Sequence, residues 1–156
     1  MKTLKTIMSI IATVILGSCI SLQAPIIIRK APIDGYKYVF ITPTKEVVIS
    51  QGGVYGGEFG VYGNTRSEKF SPSDIISGEL MKKGFILLPE LNSEFNEKTL
   101  IVNYGKSSTD VTIQFVSADS HELVCSCTAA GEGLTEVDCI KSAITRAFSE
   151  LFKDKK

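Results

Sequence analysis

Val111-Thr112-Ile113-Gln114-Phe115, a turn from Ser117 to Ser120, and Leu123-Val124-Cys125-Ser126-Cys127-Thr128-Ala129 decide the fold. Each run alternates apolar and polar residues with a period of two. That is the pattern of a strand with one face on a core, and a short turn between two such runs makes a hairpin. Both strands put their odd-numbered side chains on one face, so Val111, Ile113, Phe115, Leu123, Cys125, Cys127 and Ala129 are assigned to the core face.

Gly131-Glu132-Gly133 breaks the second strand, and Thr135 with Asp138 caps a helix. Along that helix Val137, Ile140, Ile144, Ala147, Phe148 and Leu151 fall on one stripe, while Glu136, Lys141, Arg146 and Glu150 lie largely elsewhere. The stripe should cover the sheet. Toward the N-terminus, Lys98 to Tyr104 reads as a strand and Gly105 to Asp110 as a turn. Ser71-Pro72-Ser73-Asp74 opens an earlier helix, with Ser71 as N-cap and Pro72 in the first turn. Ile75, Ile76, Leu80 and Met81 form its apolar side, Gly84 closes it, and Phe85 to Leu88 leads on toward Pro89. Tyr36 to Ile41 and Lys45 to Ser50 are further strand candidates, the second rich in β-branched residues. The expected architecture is α+β in two layers. An antiparallel or mixed sheet of four to five strands carries two helices on one face.

Residues 51–64 read Gln-Gly-Gly-Val-Tyr-Gly-Gly-Glu-Phe-Gly-Val-Tyr-Gly-Asn, with Val54-Tyr55-Gly56 repeated as Val61-Tyr62-Gly63. Two copies are too few for a solenoid. So many glycines disfavour a helix and loosen a strand, and three aromatics are costly to leave wet without a use. One reading is a flexible aromatic loop in which Tyr55, Phe59 and Tyr62 stack on a glycan or a protein partner. The other is a glycine-rich hairpin or a disordered flap packing its tyrosines on its own domain.

The N-terminus carries an address. Lys2 and Lys5 precede an almost wholly apolar Ile7 to Leu16, and Leu16-Gly17-Ser18-Cys19 follows. This is the layout of a bacterial export signal, and its apolar run is about half of the ~20 residues a spanning helix needs. A Leu-small-small-Cys box resembles the bacterial lipoprotein class. The resemblance implies cleavage between Ser18 and Cys19 and lipidation of Cys19; an ordinary secretory signal cut near Ala24 is the alternative. Two or more acyl chains anchor a protein stably, whereas one does not, so a diacylated and N-acylated Cys19 would fix the domain to a membrane. Ile20 is not the aspartate of inner-membrane retention, and Ser21-Leu22-Gln23 carries no acidic export cluster. The expected site is the periplasmic face of the outer membrane, with the cell surface as alternative. The organisation is therefore a signal peptide over 1–18, a lipid-attachment tether over 19–35 interrupted by Pro25 and Pro32, and one domain over 36–156.

Cleavage leaves 138 residues with a formal charge of minus two, enough chain for a core without staples. No basic stripe is present, so nucleic acid is not an expected partner. Three internal cysteines remain. Cys125 and Cys127 would sit ~6.6 Å apart on one strand face with parallel side chains, poor geometry for a disulfide. A bridge from either to Cys139 stays open beside the reading of all three as small buried hydrophobes.

Catalytic constellations are sparse. His121 with Cys125 and Cys127 would share a strand face, yet a zinc site needs a fuller ligand set and no second pair completes it, so no metal and no cofactor is expected. Gly105-Lys106-Ser107 lacks the earlier glycine of a phosphate-binding loop, Leu100 standing in its place. No Gly-x-Ser-x-Gly elbow exists. Glu58, Glu90, Glu94, Glu97 and Glu132 are carboxylates that nothing in the sequence sets in opposed pairs.

Leu100-Ile101-Val102-Asn103-Tyr104, Val111 to Phe115, Asp119-Ser120-His121-Glu122-Leu123-Val124, the capped last helix and Met81-Lys82-Lys83-Gly84-Phe85 run in a familiar order. Together they resemble small bacterial envelope lipoproteins of an uncharacterised domain family, over roughly Tyr36 to Phe152. More distantly, the element order is similar to the domain of peptidoglycan-synthase-activating and curli-secretion lipoproteins and of a Tol-system periplasmic protein. The resemblance implies an adaptor and no catalytic residue. The expected function is a lipid-anchored, non-catalytic binding or assembly module of the bacterial cell envelope. Its partners would be the membrane, through Cys19, and an envelope protein or glycan, through Tyr55, Phe59 and Tyr62. The alternatives are an envelope hydrolase with unassigned carboxylates and a purely structural lipoprotein.

Overall fold

The computed structural model describes residues 22–57, 60–108 and 110–153, with side chains described outside 47–68. Residues 1–18, read as a signal peptide, and with them Ser18, as well as Cys19, read as the lipidation residue, lie outside the described residues. The elements are β1 (Ile26–Arg29), β2 (Tyr38–Ile41), β3 (Val47–Gly57), β4 (Gly60–Phe70), α1 (Pro72–Lys82), β5 (Ile86–Leu87), a 3₁₀ segment (Ser93–Lys98), β6 (Thr99–Ser107), β7 (Asp110–Ser117), β8 (Leu123–Ala130) and α2 (Glu136–Leu151). The class is α+β, as the sequence predicts. The main sheet is mixed and has six strands rather than four to five, in the order β1-β8-β7-β6-β2-β5.

The hairpin of β7 and β8 pairs Ile113 with Cys127 and Phe115 with Cys125, and its odd positions from Val111 to Phe115 and from Cys125 to Ala129 are buried. A register shift after Phe115 leaves Val124 as an extra residue between Leu123 and Cys125. Such a bulge breaks the alternation, and Val124 joins Cys125 in the core. Helix α2 starts on the predicted capping box, Thr135 and Asp138 each bonding the other's backbone N–H. Its whole predicted stripe is buried, together with Ala143. Phe148 stacks on Phe152 with ring centroids 5.9 Å apart and meets Phe115 edge-on at 6.3 Å, which ties the helix to the centre of the sheet.

Helix α1 adds Ile76 and Leu80 to the same core and packs against α2. Met81, placed on the apolar side by the sequence pattern, is 55% exposed. The helix ends at Gly84, whose φ of +86° suits a residue without Cβ. There the Phe85 N–H bonds the Leu80 carbonyl and the Gly84 N–H bonds that of Met81, a Schellman stop with Phe85 buried beside Leu80.

One stretch differs from its sequence reading, and another is decided between two. Ile26–Arg29, inside the stretch read as an interrupted tether, is an edge strand antiparallel to β8, pairing Ile26 with Thr128 and Arg29 with Cys125. Pro25 and Pro32 flank that strand without entering it, and Ile33 reaches the core. Of the two readings of 51–64, loop and glycine-rich hairpin, the structure has the hairpin: β3 and β4, eleven residues each, form a separate two-stranded sheet.

Candidate interaction site

β3 opens on the β-branched run Val47-Val48-Ile49, and the glycine-rich remainder pairs with β4 along its whole length. The register sets Tyr55 directly opposite Tyr62, Val54 opposite Gly63 and Gly56 opposite Val61. The seven-residue spacing of the repeated Val-Tyr-Gly thus becomes a cross-strand match, a bulky residue facing a glycine on either side of the tyrosine pair. Of the three aromatics proposed as contacts, the structure brings Tyr55 and Tyr62 together in register. Phe59 lies outside the described residues.

An isolated two-stranded ribbon is marginally stable in water, so its attachment matters. On one side Phe70, at the end of β4, packs on the core, and the Lys141 ammonium lies 5.5 Å from its ring centroid. On the other side lies a set of hydroxyls. Thr44 Oγ1 is 3.3 Å from Ser71 Oγ and accepts the Ser73 N–H at 3.3 Å, while Ser71 Oγ and Ser73 Oγ are 2.6 Å apart. The predicted N-cap residue Ser71 occupies the cap position but makes no side-chain cap bond. The orphan N–H of the first turn is met by Thr44, from the strand connection 29 residues earlier. The hydroxyls therefore link the root of the hairpin to the start of α1.

A cavity of about 450 Å³ opens beside this root, lined among others by Thr42, Lys45, Pro72, Asn103, Tyr104 and Glu136. It lies at the C-terminal end of β2. Thr42 Oγ1 donates to Asn103 Oδ1 at 2.7 Å, and Lys106 pairs with Glu136 at the start of α2. Burial, and secondarily the charge of Glu136, raises the Tyr104 phenol above its ordinary value, so Tyr104 stays a neutral donor or acceptor. The cavity offers hydroxyl, amide and phenol groups with one ion pair, a lining suited to hydrogen-bonding a polar ligand or a partner's backbone. Sequence reasoning did not find it, because its residues come from four separated segments.

The other candidates do not converge. His121 sits exposed in the β7–β8 turn with φ +57°, while Cys125 and Cys127 are buried beneath α2. Among the described residues no group of three or more His, Cys, Asp and Glu could hold a metal ion. Glu94 and Glu97 line one shallow cleft with Tyr38 and Phe95, both exposed on the 3₁₀ segment. Glu132 lies in the β8–α2 loop and Glu90 in the loop after β5. Glu58 is outside the described residues. Gly105-Lys106-Ser107 ends strand β6 rather than opening a helix.

Cys125, Cys127 and Cys139 are free thiols, the first two buried and Cys139 partly exposed. Desolvation pushes the Cys125 thiol up to about 12, against a smaller opposing pull from Arg29, and the Cys127 thiol up to about 11. Both stay protonated at neutral pH and neither offers a thiolate. The expected result of alkylating the native chain at pH 7.5 is modification of Cys139 with Cys125 and Cys127 spared until denaturant is added, as read by peptide mass. Rapid native labelling of Cys125 would contradict this burial. An unfolded chain releases these protons near ~8.5 while the folded one keeps them. The corresponding share of stability is complete below that pH and is lost as pH rises toward the folded values.

Among the described residues no helix is long and apolar enough to cross a membrane. In comparison with known proteins, no family model, no curated protein and no solved structure matches this chain.

Proposed function

We propose that the chain is a lipid-anchored, non-catalytic binding or assembly module of the bacterial cell envelope. It is held through Cys19 at the periplasmic face of the outer membrane and contacts an envelope protein or glycan through the β3–β4 hairpin. The observation that carries the reading is the hairpin itself. It is a separate sheet that sets Tyr55 opposite Tyr62, rooted in the domain by Phe70 and by the Thr44–Ser71–Ser73 hydroxyls. Tyrosine is among the residues that dominate protein interfaces, and aromatic faces also stack on sugar rings. The lipoprotein address rests on Leu16-Gly17-Ser18-Cys19, and the adaptor role on the short motifs that resemble the envelope lipoproteins.

The expected effect of changing Tyr55, Phe59 and Tyr62 together to alanine is a loss of partner recovery of tenfold or more, with the melting temperature nearly unchanged. A large fall in melting temperature would instead assign these aromatics to the core.

A further inference from the structure

The chain is pinned to the domain close to its proposed lipid. The Arg146 side chain of α2 donates through Nη2 to the Gln23 carbonyl at 2.8 Å and through Nη1 to the Ala130 carbonyl. One guanidinium thus joins the segment before β1 to the end of β8. Four residue steps separate Cys19 from Gln23, and fully extended they reach at most ~14 Å. A lipid on Cys19 therefore holds not a dangling domain but one particular end of it.

The strand directions say which end. β1 runs antiparallel to β8 and begins opposite Thr128, so the chain enters where β6 and β8 finish and where β7 begins. The loop after Ala130 lies at the same end. It carries Leu134, 101% exposed, and Ile26 at the start of β1 is 63% exposed. Single exposed apolar residues are ordinary on protein surfaces; what gives these two a partner is the reach of the tether. Resting on the lipid-anchor reading above, we propose that this end of the domain lies against the headgroup surface of the membrane, with Leu134 and Ile26 in contact with lipid. Asp110, Glu132 and Asp138 are exposed at the same end, so the surface fits zwitterionic rather than anionic headgroups. An apolar side chain in the interfacial layer gains from leaving water without needing charge attraction.

The chain has no tryptophan, which permits a direct test. Leu134→Trp and, separately, Asp119→Trp each give a single emitter, the second in the β7–β8 turn at the opposite end of the sheet. The full lipidated protein is reconstituted into phosphatidylethanolamine–phosphatidylcholine vesicles with brominated acyl chains. The expected result is at least threefold stronger quenching and a blue-shifted emission for Leu134→Trp relative to Asp119→Trp, without any anionic lipid. Equal quenching at the two sites, quenching at neither, or stronger quenching for Asp119→Trp overturns the docking. The mass of the Cys19 peptide separates the two claims. An acylated Cys19 without quenching removes the docking alone and leaves Leu134 to a protein partner, whereas an unacylated Cys19 removes both.

Discussion

Gly131→Ala is expected to destabilise the domain by about 3 kcal/mol, the upper end of the range for overpacking a core. Gly131 is buried where β8 hands the chain to α2. A Cβ built there would lie 1.8 Å from the Cys139 carbonyl oxygen, 2.7 Å from its carbon and 2.9 Å from the Ala143 nitrogen. All three are backbone atoms of the helix, so no side chain can swing away and α2 itself must move. That movement would disturb the seat of Phe148 and Leu151 on the sheet. Gly78 supplies the internal control. It lies within α1, and a Cβ there meets nothing within 4 Å, so Gly78→Ala should stabilise by about 0.5–1 kcal/mol through helix propensity and unfolded-state entropy. Urea denaturation of the two variants should give midpoints displaced in opposite directions from the parent. A Gly131→Ala protein as stable as the parent would mean that α2 does not approach β8 this closely.

Phe148→Ala should cost about 3–5 kcal/mol, the usual range for emptying a buried aromatic site. The ring is 1% exposed, lies parallel to Phe152 and meets Phe115 of β7 edge-on. Removing it leaves a void between sheet and helix whose walls are held by backbone hydrogen bonds and collapse only partly. Against a total stability of about 5–15 kcal/mol for a domain, this loss brings the protein close to unfolding at ambient temperature. A loss below 1 kcal/mol in the same denaturation experiment would place Phe148 outside the central core.

Those two predictions fall in the part of the fold that local sequence signals reveal best. The β7–β8 hairpin shows as alternation within twenty residues, and α2 shows as a capping box followed by a 3.6-residue stripe; both depend on neighbours in sequence. β1 was hidden because it has four residues between prolines, and its reason for being extended is a partner strand about one hundred residues away. The glycine-rich stretch reads as a loop or as a hairpin because glycine weakens strands on average. Its regularity appears only when Val54 is set against Gly63 and Gly56 against Val61. The start of α1 reads correctly, but its cap comes from Thr44, which no motif window around Ser71 includes. The site suffers most from this locality. Tyr55 and Tyr62 stand out as residues, while the cavity at the root of the hairpin is assembled from the ends of β2 and β6 and the starts of α1 and α2. The Arg146 contact with Gln23, spanning 123 positions, leaves no local trace.

The measurement closest to the central claim is crosslinking in intact cells, comparing the native protein with a version lacking residues 52–63. Attached proteins and glycans are identified by mass spectrometry. A binding module working through its hairpin predicts a specific partner recovered with the native protein and lost on deletion, with the domain still folded and still in the membrane fraction. Recovery of the same partner by both versions would contradict the hairpin as the contact, and the absence of any specific partner from both would contradict the binding module itself.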